Sequence, residues 1–534
     1  MFKYFQKCDI CITKIYIAII QKMFRNFLLV LISIFLFTFS WPVKGFPFLI
    51  IGAFVPMFYI AEKERKILKI FFYSVLIFIF WNLFTTYWIM HATLFGMLMA
   101  IFVNSILMST VFTIFILVKR YLGNSRGWWS FVSLWLAFEY LHFNWDLAWP
   151  WLSLGNVFAN TTSIIQWYEY TGVLGGSLWV LVLNIFTFKA IRKKSYYKLI
   201  FCLLIPIIIS FLVKPIYKFN DYVKIVLVQP NIDPYKEKFT GLSSDEQIEK
   251  LLNQAEKEID NNTDYLIGPE TALVDPVWEN NFEDSPSIIK LNEFLNKFPN
   301  LKIILGASTY KILEESEDLS NTSRHIKSID KYYEAYNSAF QIDTSGIQIY
   351  HKSKLVPGVE MIPFSSVLKS IKFLSINLGG VSGSLGSQNN RTVFQSEKAK
   401  VAPIICYESI FGEYVLDYVR NGANLLTIIT NDGWWKDTPG YKQHLSYASL
   451  RAIETRRSIA RSANTGTTAF IDIYGNIINP TSFWEEAVIK LDVPLSSYKS
   501  FYLVYGNYIG RISSFIAAIL ILFLFSSIIM KRKK

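Results

Sequence analysis

Eight apolar runs bracket one stretch of mixed charge, and this arrangement limits the chain more than any other feature. The runs lie at 27–43, 46–61, 67–90, 94–118, 128–143, 163–188, 199–213 and 512–530, and the mixed-charge stretch at 221–498. A helix needs about 20 apolar residues to cross the hydrocarbon of a bilayer. The third, fourth, sixth and eighth runs meet that length; the other four are shorter. The pattern predicts a bundle of about seven transmembrane helices over 23–215, a globular domain over 221–498 and a closing span over 510–530. Residues 1–22 are interrupted by Lys3, Lys7, Lys14 and Lys22 and read as an extension; Met23 is the expected start of translation.

The formal net charge of +12 is compatible with nucleic-acid binding. The basic residues, however, cluster between apolar runs: four within Glu62–Lys69, then Lys119, Arg120 and Arg126, then Lys189, Arg192, Lys193, Lys194 and Lys198, then Lys531–Lys534. Basic loops stay on the cytoplasmic side. With eight spans and a cytoplasmic N-terminus every cluster falls on that side, so topology accounts for the charge and no nucleic-acid partner is expected. The same count puts 221–498 outside the cytoplasm.

Four cysteines occur. Cys8 and Cys11 form one isolated CxxC, which supplies two ligands where a structural zinc takes about four, so no metal is expected. Cys202 sits in an apolar run and reads as buried filler. Cys406 is the only cysteine of the mixed-charge stretch and must carry a thiol free of any disulfide within it.

That stretch reads as α/β. Val223–Val228, Tyr265–Ile267, Lys302–Leu305, Ser338–Ile342, Ile347–Tyr350, Val401–Ile405, Leu425–Thr430, Ala469–Ile473 and Val488–Leu491 have strand composition. Thr344-Ser345-Gly346 and Tyr474-Gly475-Asn476 read as hairpin turns, 244–260 and 440–464 as helices, and 311–335 as a surface loop. Three strands run into a reactive side chain: Glu270 after Gly268-Pro269, Lys352 after Tyr350-His351, and Cys406 after Ile404-Ile405. Strand ends are where α/β folds place their sites. A thiol attacks a carbonyl carbon as thiolate. A carboxylate can remove its proton, and an ammonium can hold first the thiolate and then the oxyanion. Glu, Lys and Cys thus suffice for acyl transfer without histidine. Each alone has a plainer reading, as cap, solvated lysine or core filler; the combination carries the inference.

The segments Pro269–Ala272, Tyr350–Glu360, Ile405–Glu408 and Asn431–Trp434, with Gln443, His444, Arg451, Arg461, Asn464 and Gly466 following, resemble the signatures of the nitrilase superfamily of carbon–nitrogen hydrolases. The membrane runs, with Trp149-Pro150-Trp151-Leu152 and Arg511, narrow the resemblance to the apolipoprotein N-acyltransferase family. Two departures stand out: Gly358-Val359 lacks the aromatic usual before that glycine, and a lysine at about Lys238 takes the place of a tryptophan of a mobile lid.

The resemblance implies a multi-span α-helical bundle joined to an αββα sandwich, in the bacterial inner membrane with the sandwich on the periplasmic side. It implies no cofactor. Glu270 would be the base, Lys352 the oxyanion holder and Cys406 the nucleophile, with Glu360, Tyr407 and Glu408 supporting. The acyl donor would be a membrane phospholipid and the acceptor the α-amino group of a diacylglyceryl-cysteine at the N-terminus of an apolipoprotein. Two other readings stand beside it: a membrane-tethered amidase that hydrolyses its thioester with water, and a transporter or scaffold whose domain only binds.

Overall fold

The structure is a computed structural model and describes residues 2–214, 217–239, 241–364 and 384–532. Lys533 and Lys534, from the last basic cluster, lie outside the described residues, as do the side chains of Cys8 and Cys11. Among the described residues seven α-helices precede the globular domain: α1 Phe2–Ser40, α2 Val55–Lys63, α3 Ile67–Thr86, α4 Leu94–Leu122, α5 Asn124–His142, α6 Tyr168–Lys193 and α7 Tyr197–Leu212.

Among the described residues five segments are long and apolar enough to cross a membrane: Ile19–Ser40, Ile67–His91, Leu94–Leu122, Tyr168–Lys193 and Tyr508–Lys531. Helices suit this setting because they satisfy their backbone polar groups internally. Three of the eight expected spans account for the difference. The second run breaks into a 3-10 turn, Pro47–Gly52, and the nine-residue α2. The seventh gives a helix of 16 residues with Pro206 inside it. The fifth, α5, carries Glu139 and is largely sunk among its neighbours. The Glu139 carboxylate accepts from Trp135 Nε1 at 3.0 Å and Leu154 N at 2.9 Å, and from the Ser177 hydroxyl, so it fastens α5 to the next loop and to α6.

The basic clusters converge at one end of the bundle. There Glu62 pairs with Arg192 at 2.6 Å and Lys119 at 3.6 Å, Glu64 pairs with Lys22 at 2.9 Å, and Arg120 caps the Glu64 and Arg65 carbonyls. The globular domain sits on the opposite end, against Trp41, Trp88 and Trp151.

Among the described residues the domain has fourteen strands: β1 Tyr222–Gln229, β2 Tyr265–Ile267, β3 Leu273–Trp278, β4 Lys302–Ile312, β5 Arg324–Ile326, β6 Lys331–Asp343, β7 Gly346–His351, β8 Phe394–Gln395, β9 Lys400–Ile405, β10 Leu425–Thr430, β11 Ile459–Ala463, β12 Ala469–Ile471, β13 Ile477–Ile478 and β14 Ala487–Pro494. The first sheet runs β14-β1-β2-β4-β6-β5, with β3 on β4 and β7 on β6; the second runs β13-β12-β11-β10-β9-β8. Its helices are α8 Ser244–Ala255, α9 Pro286–Lys297, α10 Gly412–Arg420, α11 Pro439–Thr455 and α12 Phe501–Tyr505; α13 Tyr508–Arg532 then forms the closing span.

Alternation along β1 builds the layers. Val223, Ile225 and Leu227 enter a core shared with Ile404, Ile428 and Ala460 of the second sheet, while Val226 and Val228 enter the core beneath α8 and α9. Successive strand residues point to opposite faces, so a strand apolar on both faces is sandwiched between layers. With α10 and α11 outside the second sheet, the order is helix, sheet, sheet, helix.

Two expectations need correction. The helix expected over 440–464 ends at Thr455: Arg456 turns left-handed at φ 52°, and the chain continues as β11, buried throughout. The loop expected over 311–335 contains strand. β4 runs on to Ile312 and pairs with β6 from Tyr333, β5 pairs beside it, and Trp278, Tyr310 and Tyr333 stack on the ribbon. Its polar sequence fits a ribbon standing clear of the core.

Candidate active site

Glu270 lies just past β2, where Gly268 N bonds to Ile304 O at 2.9 Å and Gly306 N to Pro269 O at 3.1 Å. A Cβ on Gly306 would stand 2.7 Å from Glu270 Cα, so only glycine lets β4 pass this close. Lys352 follows β7, its N–H donating to Asn337 O at 2.8 Å. Cys406 follows β9 with φ 48°, and Thr271, next to Glu270, has φ 48° as well. L-residues rarely hold that conformation, and strained backbone of this kind gathers at functional sites.

The three elements bring the side chains together. Lys352, 1% exposed, is clamped by two carboxylates: its Nζ lies 3.1 Å from Glu270 Oε1 and 2.8 Å from Glu360 Oε1. Asn337 Nδ2 donates to the same two oxygens at 2.8 and 3.0 Å. Glu270 Oε2 accepts from Asn431 N at 3.2 Å, and Glu360 Oε2 from Val356 N at 2.8 Å. Cys406 is close enough for both Glu270 and Lys352 to act on its charge.

These contacts set the protonation states. Burial pushes the Glu270 carboxyl up, but Lys352, Asn337 and Lys238 outweigh it and hold the group below the ordinary carboxylate range. Burial pushes Lys352 down, yet Glu270, Glu360 and Cys406 together raise it well above an ordinary lysine. Burial pushes the Cys406 thiol well up, Glu270 adds to this, and Lys352 opposes it. At neutral pH the resting site therefore holds a carboxylate, an ammonium and a protonated thiol.

The supporting residues separate into distinct roles. Glu408, fully buried, accepts from Ile405 N at 2.9 Å and Tyr414 OH at 2.6 Å on the Cys406 side, and from Ser353 N at 2.7 Å and Tyr350 OH at 2.7 Å on the Lys352 side. It ties the two loops together without facing the thiol. Tyr407 donates to Ala148 O at 2.6 Å, tying the Cys406 turn to the membrane bundle. His444 binds the Cys406 carbonyl at 3.1 Å, Ser409 Oγ at 2.9 Å and Asp432 Oδ1 at 3.0 Å, a buried bracket beneath the turn. His351 stacks on Tyr336 at 3.8 Å and pairs with Glu279 at 2.8 Å, away from the clamp.

Sequence reasoning missed Asn337, Asn431 as a Glu270 donor, and the place of Lys238. Lys238 is 2% exposed, and its Nζ donates to Thr271 Oγ1 at 2.7 Å and Glu270 O at 3.2 Å. Burial pushes it down to about 8, with Glu270 opposing. An aromatic residue is nevertheless present in that loop: Phe239, the next residue, stacks on Trp434 at 6.4 Å.

The apolipoprotein N-acyltransferase N-terminal domain profile matches residues 33–186, and the carbon-nitrogen hydrolase profile matches 224–502. An apolipoprotein N-acyltransferase of Chlorobaculum tepidum is 29% identical over 503 residues, covering 90% of this chain and 93% of the relative. One of Geobacter metallireducens is 29% identical over 514 residues, covering 90% and 92%. Among solved structures, a Saccharomyces cerevisiae protein of branch 10 of the nitrilase superfamily aligns with 16% identity and a TM-score of 0.38, over 56% of this chain and 99% of that one.

Proposed function

The chain belongs to the apolipoprotein N-acyltransferase family of carbon–nitrogen hydrolases, and from that premise we propose that it moves a fatty acyl chain from a phospholipid to an apolipoprotein through a thioester on Cys406. The observation that carries the mechanism is the Lys352 ammonium held between Glu270 at 3.1 Å and Glu360 at 2.8 Å beside the Cys406 thiol.

In the first half-reaction Cys406 sulfur attacks the ester carbonyl carbon of a phospholipid as its proton passes to Glu270. Lys352 balances the oxyanion, together with the N–H of Tyr407 at the start of the short 3-10 helix Cys406–Ile410, where a first turn leaves N–H groups without carbonyl partners. The carbon–oxygen bond breaks, Glu270 returns its proton to the leaving alkoxide, and a lysophospholipid departs. In the second half the α-amino group of a diacylglyceryl-cysteine attacks the thioester. Glu270 takes a proton from that nitrogen and passes one to the departing thiolate, leaving an amide and the free thiol. A free α-amino group has a pKa of about 7.7–8.0, so roughly a tenth to a sixth of it is neutral at pH 7 and the rest must first lose a proton.

Placement outside the cytoplasm is supported by the gathering of basic clusters at the bundle end opposite the domain.

Intact mass spectrometry tests the reading. The full chain incubated with phospholipid should gain one acyl mass on Cys406, and a diacylglyceryl peptide should discharge it. No adduct on the wild type, or an adduct that survives Cys406→Ala, would overturn the mechanism.

A further inference from the structure

The domain carries a second, cationic cleft away from Cys406. Its volume is 660 Å³, and it is lined by Lys400, Arg420, Arg457, Lys499, Asn424 and Ser497 with the apolar Val419, Leu503 and Val504 and with Gly422. Four of these residues are cations and none is acidic. It lies where β9 and β10 begin, whereas Cys406 and Asn431 follow their far ends. Six strand residues at about 3.3 Å each put the two places roughly 20 Å apart.

Arg457 makes the cleft more than a basic patch. It is 3% exposed and forms no ion pair among the described residues. Its Nε donates to Ala423 O at 2.9 Å, and its Nη1 to Tyr498 O at 2.7 Å and Thr455 O at 3.0 Å. Nη2 donates to no described residue. Burial pushes the group down to about 10, with Tyr217 opposing. A buried cation without a counter-charge is unfavourable unless an anion answers it. Arg420 is partly answered by Asp417 at 2.8 Å; Lys400 and Lys499 are exposed and answered by nothing described. The Lys400 ammonium lies over Gly422, 3.8 Å from where a Cβ would stand.

The surroundings indicate where the anion comes from. Leu503 and Val504 belong to α12, and the closing span begins at Tyr508. Phe501, Val504 and Tyr505 expose apolar surface, and Phe501 packs tilted on Tyr505 at 4.4 Å and edge to face on Tyr508 at 5.8 Å. Aromatic residues at the end of a span sit at headgroup depth. We propose that this cleft binds the phosphate of an anionic phospholipid, with Arg457 at its floor and Lys400 and Lys499 at its rim, as a lipid site separate from the one that donates the acyl chain.

Native mass spectrometry of the full chain in neutral detergent, titrated with phosphatidylglycerol and separately with phosphatidylcholine, tests this. The wild type should retain one more phosphatidylglycerol than phosphatidylcholine. Lys400→Gln with Lys499→Gln should weaken that retention about tenfold at unchanged thermal stability. Lys63→Gln with Lys66→Gln, at the other end of the bundle, should leave it intact. Arg457→Met should abolish it in whatever fraction folds. Equal retention of the two lipids, or equal loss in the Lys63/Lys66 control, would overturn the proposal. So would binding of inorganic phosphate with no preference for phosphatidylglycerol, which would make the cleft a site for free anions.

Discussion

Glu270 gathers more of the site than any other residue. It receives Lys352, Asn337 and the Asn431 N–H on its two oxygens, and Lys238 on its backbone carbonyl. Glu270→Gln keeps the shape and removes the base, so the rate of thioester formation should fall about 10²–10⁴-fold, as measured by acyl-adduct mass spectrometry, and thermal unfolding should register a lower melting temperature because buried Lys352 keeps only the Glu360 carboxylate. Lys238 makes a finer prediction. The Glu270 carboxyl lies below its unfolded value, so it contributes stability above the ordinary carboxylate range, and that contribution is lost as pH falls through the folded value. Lys238 is one of the cations holding it there. Lys238→Met should therefore move both the acid limb of the pH–rate profile and the acid unfolding midpoint to higher pH. An unmoved limb would mean that Lys238 acts only through packing. The reactive three were legible because each follows an apolar strand. Asn337 was not, because a polar residue inside a strand carries no local signal and its partners lie 67 and 23 positions away.

At the level of elements, the strands that carry the site were readable wherever apolar residues crowd a short span: Tyr265–Ile267 and Leu425–Thr430 fold with the bounds their composition gives. Reading failed where tertiary pairing overrides local pattern. Ile459–Ala463 extends a helical stretch in sequence, yet it becomes a strand because β10 offers a parallel edge, with Leu426 opposite Ile459 and Thr430 opposite Ala463. The ribbon around β5 is polar and reads as loop because its strands are fixed by backbone pairing with β6 and not by burial. The close passage of β4 beneath the Glu270 turn also belongs to this scale. Gly306→Ala would bring a methyl group to 2.5 Å from Thr271 N and force the turn outward. Overpacking of this kind destabilises by about 1–3 kcal/mol. Thermal unfolding should register that loss, and acyl-adduct formation should fall more steeply than stability, because the displaced part is the turn that carries Glu270.

At the scale of the whole molecule, bundle and domain share one continuous core. Helix α11 makes the junction. Gln443 accepts from Trp151 Nε1 at 2.7 Å and Trp88 Nε1 at 3.3 Å and donates to Pro42 O at 3.1 Å and Thr85 O at 3.2 Å. Just past its end, Arg456 pairs with Glu169 of α6, both buried, and reaches Gln166. Breaking a buried pair on one side is worth about 3–5 kcal/mol. Arg456→Met should therefore lower the unfolding temperature of the full chain clearly, whereas Arg456→Met with Glu169→Leu should recover much of the loss. Residues 217–500 produced alone would expose this face of α11, and size-exclusion chromatography should find them aggregated.

The Gln443 junction also bears on how such a chain can be recombined. Its four partners come from three separate stretches of the bundle, at Pro42, Thr85–Trp88 and Trp151. A chimera that joins this bundle to a relative's domain must carry a matching amide at that position, or leave the Trp151 indole and the Pro42 carbonyl unanswered, whereas Trp88 Nε1 and Thr85 O still answer each other at 3.1 Å. The unit of exchange is thus the whole chain and not either half. Swaps cut between the bundle and the domain should fail more often than swaps that also transfer the three bundle segments.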